Sequence, residues 1–439
     1  ITPPTGAVDV PFRRLSERLQ SGHPTVGVVG LGYVGLPLLV HAAGHGCRTV
    51  GVEIDPERRT RLAQHDSYVT DVSDDALAAL DREIRIAASA TALLGCDAVV
   101  ITVPTPLRDG VPDLSAVRAA ANELAEVLRP GQLVILESTT YPGTTDDVVR
   151  PALEGSGLRA GVDFALAYAP ERIDPGSGRD VTSTPRVVAG IDQRSGDLAQ
   201  RFYERLGFTV HRAPSPREAE LAKLIENTFR QVNIALVNEL AVLAADLGVD
   251  IWAALEAAAT KPYGYMAFRP GPGVGGHCIA IDPSYLSWHA VRQRGFGVGF
   301  VQHALEVNHR MPAYVASRVA EVLNASGRAV NGARIFVLGV TYKPGVADTR
   351  ESPAVAVIER LLAGGADISY HDPFVSELVL GNRRLQVSEL EPQRLRDADI
   401  VVVLTAHQEY GIEVLREAGS LFDAQGVTSG HDLAHAVRL

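Results

Sequence analysis

Lysine is nearly missing from this 439-residue chain: of 41 Lys+Arg residues only Lys223, Lys261 and Lys343 are lysines, leaving 38 arginines. Such a skew reflects a GC-rich coding genome. It also singles out each lysine, because a compact ammonium and a planar guanidinium do not replace one another at a site built for one of them. Cysteine is as sparse. Cys47, Cys96 and Cys278 lie far apart with no CxxC pair, so neither a disulfide framework nor a zinc site is indicated, and no metal is expected. Long apolar runs are missing: none approaches the roughly 18 residues of a membrane span. The first nine residues have neither a basic region nor an apolar signal core, so a cytoplasmic protein is the expectation. Positive charge is in deficit. With 52 acidic residues against 41 basic ones the formal charge is −11, the wrong sign for general affinity to nucleic acid or an anionic membrane, although a local cationic site stays open.

What is present is enough apolar material for full cores, 46% of residues, and a length that allows two to four domains at roughly 100–200 residues each. From residue 25 to about 211, short β-branched runs alternate with helical patterns: residues 25–29, 49–52, 98–103 and 132–136. The same alternation returns at 333–338, 368–370 and 400–404. Alternation of this kind builds a parallel sheet covered by helices. The expected fold is therefore α/β, with two doubly wound (Rossmann-like) domains joined by a central helical domain. That centre opens on a capping box, Ser215 as cap, Pro216 at the first helical position and Glu218 three after the cap, with Gly248 as a stop. A helix of about 30 residues is about 45 Å long at 1.5 Å per residue, more than one small domain needs, so it is expected to form a spine and a dimer interface.

Gly30-Leu31-Gly32-Tyr33-Val34-Gly35 follows the first strand and opens a helix, as a GxGxxG turn must if backbone N–H groups are to hold a pyrophosphate. Glu53, 18 residues after Gly35, ends the next strand, where an acid accepts ribose hydroxyls. A carboxylate there repels a 2′-phosphate, which favours NAD over NADP. Arg58 and Arg59 are read as a solvated helix face. Thr105 and Ser138-Thr139-Thr140 end two later strands at the carboxyl edge of the sheet, where their hydroxyls line a nicotinamide pocket or simply terminate strands.

Residues 270–283 form a glycine-rich loop carrying Gly275, Gly276, His277, Cys278 and, four residues after the cysteine, Asp282. Glycines this dense let backbone approach a ligand closely, and a cysteine so placed reads as a nucleophile, whereas Cys47 and Cys96 read as buried filler. His277 reads as a supporting residue. Lys223 and Asn227, four residues apart on the long helix, share a face. Lys223 is either a snorkelling surface group or, as its rarity favours, a charge aimed at a developing oxyanion. Glu171, after a strand, offers acid/base chemistry or a pair with Arg172. Lys343 and Arg350 follow the first strand of the last domain, either to hold a phosphate or sugar ligand or to pair with Asp348 or Glu351.

At this point the chain resembles the UDP-glucose/GDP-mannose dehydrogenase family. The resemblance rests on GLGYVG at 30–35, ESTTYPGTT at 137–145, APERIDPG at 169–176, EAELAKLIENTFR at 218–230, PGPGVGGHCIAID at 270–282 and TYKPGVADTRESPA at 341–354. It implies a four-electron oxidation of C6 of a nucleoside-diphosphate hexose to the uronic acid, using two NAD and one water. It further implies that Cys278 forms a thiohemiacetal and then a thioester, that Lys223 and Asn227 steady the C6 oxygen, and that Asp282, Glu171 and Thr139 hold or activate water. Lys343 resembles a lysine that contacts substrate, with Glu171, Arg172, Gly275 and Gly276 on the same side, and Arg350 one that reaches the cofactor phosphates; Lys261 receives no role. The implied domains are an extension at 1–24, an NAD-binding domain at 25–214, a helical dimerisation and catalytic domain at 215–325, and a sugar-nucleotide domain at 326–439. The GGHC loop is most similar to the UDP-N-acetylhexosamine branch, with UDP- or dTDP-glucose as further substrates. The competing expectations are a two-electron 3-hydroxyacid-type dehydrogenase and a non-catalytic sugar-nucleotide-binding protein.

Overall fold

The computed structural model describes residues 9–173, 180–276 and 279–439. The chain divides into two units, 1–225 and 226–439, and the division falls inside one helix, Pro216–Asp246.

In the first unit the β-branched runs become strands β1 (Thr25–Val29), β2 (Arg48–Val52), β3 (Ile84–Ala87) and β4 (Ala98–Ile101). A small hairpin of β5 (Leu107–Arg108) and β6 (Val111–Pro112) follows. Then come β7 (Leu133–Leu136), β8 (Ala165–Tyr168), β9 (Arg186–Gly190) and β10 (Val210–Arg212). The main sheet runs β10-β9-β8-β7-β4-β1-β2-β3 and is parallel except between β8 and β9. Side-chain alternation sends Ala98, Val100, Leu133 and Ile135 to one core and Val99, Ile101, Val134 and Leu136 to the other, so these strands are buried on both faces and read as continuous apolar runs. Each such Val, Leu or Ile side chain contributes roughly 1.5–3 kcal/mol by leaving water. Residues before the first strand also enter this core: the helix Asp9–Ser21 buries Phe12, Leu15 and Leu19. Cys47 and Cys96 are buried, and burial pushes the Cys96 thiol up to about 11.

In the second unit the helices Ile251–Ala259, Asp282–Arg294 and Gly299–Ala325 precede β11 (Arg334–Leu338) and β12 (Asp367–His371). A hairpin of β13 (Glu377–Leu380) and β14 (Arg383–Gln386) leads to β15 (Ile400–Val403), β16 (Leu421–Asp423) and β17 (Ala436–Arg438). The sheet order is β12-β11-β15-β16-β17, all parallel. Strand order reverses beside β1 in the first sheet and beside β11 in the second, and ligands of open α/β sheets bind at the carboxyl ends of strands at such points. Among the described residues no helix is long and apolar enough to cross a membrane.

Candidate active site

At the carboxyl end of β1, Gly30 has φ +90° and a Cβ on Gly35 would lie 2.0 Å from the Gly30 carbonyl oxygen, so both positions require glycine. A Cβ on Gly32 would meet nothing within 4 Å. The adjacent helix, Gly35–Gly44, starts at Val34 without a side-chain cap, so no side chain competes with an anion for its first N–H groups. Glu53 is buried and accepts from Leu31 N–H at 3.2 Å and Asp55 N–H at 3.0 Å, which fixes its carboxylate at the end of β2. Arg58 and Arg59 depart from the expected solvated face. Arg58 Nη1 lies 3.6 Å from the Glu53 carboxylate and Arg59 donates to the Glu53 and Ile54 carbonyls at 2.8 Å, because the turn into the helix Pro56–Ala63 brings both guanidinium groups back over the strand end. An open glycine, an uncapped helix start and a fixed carboxylate fit NAD, and Gly30, Gly32, Tyr33, Val34, Gly35 and Glu53 are the residues that would hold it.

Thr105 and Thr139 come together: the Thr105 hydroxyl donates to the Thr139 carbonyl at 2.9 Å. The segment that follows Thr139 is tied to the long helix by a residue that sequence reasoning missed. Glu220, with no exposed surface, accepts from Gly143 N–H at 2.5 Å, Thr145 N–H at 2.8 Å and the Thr145 hydroxyl at 2.7 Å. Burial outweighs these three donors and pushes the Glu220 carboxyl up to about 7. The two residues of the expected capping box meet side chain to side chain, the Ser215 hydroxyl donating to the Glu218 carboxylate. Three residues past Glu220, Lys223 is buried and, among the described residues of its unit, has no hydrogen-bond or ion-pair partner.

Glu171 is paired, and its ion-pair partner lies on the neighbouring strand. Arg186, the first residue of β9, donates to Glu171 Oε2 at 2.5 Å while the Arg172 and Ile173 N–H groups donate to Oε1 at 2.6 and 2.7 Å. The Arg172 guanidinium donates to the Pro185 carbonyl at 2.7 Å. Arg186 also lies 3.9 Å from Glu137 and stacks over the Tyr203 and Phe208 rings. Burial pushes Glu137 up to about 7 against the pull of Arg186, and the Tyr203 hydroxyl hydrogen-bonds it. Arg186, Glu137 and Tyr203 stand 15 to 66 residues from the groups they contact, a separation that leaves no local signal.

In the second unit Asn227 donates its amide to Asp282, which is buried in the first turn of the helix Asp282–Arg294. The glycine-rich loop is anchored by Asn238, which accepts from Gly271 N–H at 2.9 Å and donates to Asn308 at 2.8 Å. Gly275 and Gly276 lie flat against Tyr342, where added Cβ atoms would approach its side chain to 2.8 and 2.7 Å. His277 and Cys278 lie outside the described residues. Lys343 sits half-buried on loop 341–345 after β11. Arg350 binds Asp348 through Nε at 3.0 Å and Nη2 at 2.9 Å, an ion pair inside its own loop. Lys261 is exposed, 5.1 Å from the Tyr263 ring centroid.

Comparison with known proteins aligns this geometry with one family. Residues 24–207 match the NAD binding domain of the UDP-glucose/GDP-mannose dehydrogenase family, 217–310 its central domain and 336–430 its UDP binding domain. The chain is 38% identical over 355 residues to a UDP-N-acetyl-D-glucosamine 6-dehydrogenase from Pseudomonas aeruginosa, covering 80% of this chain and 83% of that one. It is 35% identical over 390 residues to a UDP-N-acetyl-D-mannosamine dehydrogenase from Pyrococcus horikoshii, covering 88% and 90%. A solved structure of a UDP-D-ManNAc dehydrogenase from Pyrococcus horikoshii superposes with a TM-score of 0.84 at 32% identity, covering 94% of this chain and 98% of that one.

Proposed function

Since the chain belongs to the UDP-glucose/GDP-mannose dehydrogenase family, we propose that it oxidises C6 of a UDP-linked N-acetylhexosamine to the uronic acid. It is an NAD-dependent nucleotide-sugar dehydrogenase, and the sugar nucleotide binds through its UDP binding domain. The choice of an N-acetylhexosamine is supported by the two relatives at 38% and 35% identity, which are 6-dehydrogenases or dehydrogenases of such sugars.

Bound NAD supplies a two-electron acceptor, used twice for each acid formed. The chain's own residues do the rest. Asn227 and Lys223, buried one turn apart on the long helix, steady the C6 oxygen as charge builds, the ammonium by charge and the amide by its remaining hydrogen-bonding capacity. Asp282, already holding the Asn227 amide, takes the C6 hydroxyl proton directly or through a water it orders. Cys278, placed by sequence four residues before Asp282, adds to the aldehyde to give a thiohemiacetal; loss of a proton and of a hydride to the second NAD leaves a thioester, which water held by Glu171 and Thr139 opens to the acid and the free thiol. The single observation that carries this reading is the Asn227–Asp282 hydrogen bond, which joins the polar face of the long helix to the end of the cysteine-bearing loop.

The long helix leaves Leu221, Ile225, Phe229, Leu236, Leu240 and Leu243 exposed at helical spacing. A second copy of this chain covers that stripe in the homodimer we assign to it. A cytoplasmic location follows from dependence on NAD and nucleotide sugars.

UDP-, dTDP- and GDP-linked hexoses, with and without a 2-acetamido group, test the assignment when NADH and acid are both counted. Two NADH per acid from a UDP-N-acetylhexosamine, with acid formation abolished in Cys278→Ala, is the expected result. One NADH per product would point to the two-electron hydroxyacid-type reaction, and binding without turnover to a non-catalytic protein.

A further inference from the structure

One buried polar cluster at the carboxyl end of the second sheet has no part in the chemistry above. Asp372 follows β12 directly, His407 lies four residues past β15, and Thr341 lies three past β11, so the order reversal of the sheet gathers them at its switch point. All three are almost fully buried. Asp372 accepts from Val340 N–H at 2.8 Å, Thr341 N–H at 3.3 Å and Phe374 N–H at 2.9 Å. Burial raises the Asp372 carboxyl, but the bonds from His407 and the backbone outweigh it and hold the group below the ordinary aspartate value.

The tautomer of His407 follows from its neighbours. Gly345 N–H points at Nδ1 at 3.4 Å, so Nδ1 accepts and the proton sits on Nε2, facing Asp372 Oδ2 at 3.1 Å and Thr341 Oγ1 at 3.0 Å. The Thr341 hydroxyl is then free to donate to the Lys343 carbonyl at 3.0 Å. One imidazole thus ties both ends of loop 341–345, and Phe374 and Tyr410 pack on its ring. The loop passes the constraint on. Tyr342 is the side chain against which Gly275 and Gly276 lie, Gly276 two residues before the cysteine in sequence.

We propose that His407 is a positioning residue for the sugar nucleotide: with Asp372 and Thr341 it fixes loop 341–345, and through Tyr342 it sets the backbone at 275–276. This rests on the reading that a nucleotide sugar binds the C-terminal domain. His407 supports binding without touching the ligand, so its loss weakens UDP affinity and leaves NAD affinity alone, a split that general destabilisation does not produce.

The test is calorimetric titration of the full-length protein with UDP and, separately, with NAD. His407→Phe keeps an aromatic ring and removes every hydrogen bond; it is expected to weaken UDP binding by about tenfold or more and to change NAD binding less than about twofold. His407→Gln, which keeps a donor for Asp372, should recover part of the loss. UDP affinity within about twofold of wild type in folded His407→Phe overturns the proposal. If that variant does not fold, Thr341→Val decides: several-fold weaker UDP binding with unchanged NAD binding supports the proposal, and unchanged UDP binding overturns it. A wild-type protein that binds no UDP would overturn the functional reading instead.

Discussion

Substitution of Glu220 by glutamine should change how stability depends on pH. Below the ordinary glutamate value of 4.5 both folded and unfolded chains hold the proton; between 4.5 and about 7 only the folded chain does, so unfolding releases a proton and stability falls as pH rises. Above about 7 the loss is complete, and the gap corresponds to about 3 kcal/mol. Glutamine carries no proton to lose. It leaves one of the Gly143 and Thr145 N–H groups facing an amide N–H, a defect costing about 1–3 kcal/mol at every pH. From pH 4 to pH 8 the variant should therefore gain about 3 kcal/mol on wild type. Glu137, also pushed up to about 7, stays in both proteins and cancels in the difference between their pH profiles. Thermal unfolding followed by far-UV circular dichroism across that range measures the difference. Parallel pH profiles for the two proteins by circular dichroism would refute the reasoning.

Two further predictions concern the cofactor turn and the helix face. Gly35→Ala places a methyl 2.0 Å from the Gly30 carbonyl oxygen and 2.4 Å from the Thr102 hydroxyl, so the turn must open; NAD affinity should fall at least about tenfold in fluorescence titration, and wild-type affinity would remove the turn from the cofactor site. The double substitution Leu240→Glu with Leu243→Glu puts charge into the exposed apolar stripe and should give monomers in light scattering, whereas an intact dimer would place the interface elsewhere.

The parts of this molecule that were legible in its sequence are those whose signal is local. The strands β1, β4, β7, β11 and β15 announce themselves as apolar runs because both their faces are buried, and the cofactor turn because its three glycines fall within six consecutive residues directly after a strand. The long helix was bounded by its cap. The pairing of Glu171 with Arg186 was not legible, since it depends on β9 lying antiparallel beside β8, which no periodicity records. The same holds for Glu220, whose three donors come from a loop 75 to 77 residues away. His407 and Asp372 were invisible for a further reason: either alone reads as an ordinary strand-end residue, and only the strand order places them together. Residues at long separation thus dominate what sequence reasoning left out.

The burial of Cys47 and Cys96 has a practical corollary. Their thiols are held protonated at neutral pH and walled off by core side chains, so neither can react quickly with an alkylating reagent while the protein stays folded. The chain's third cysteine is Cys278, so rapid labelling of the native protein, where it occurs, is assigned to that residue by elimination. With the role proposed for Cys278, mass gain of one label should run in step with loss of acid formation, and a label gained without that loss would refute the role.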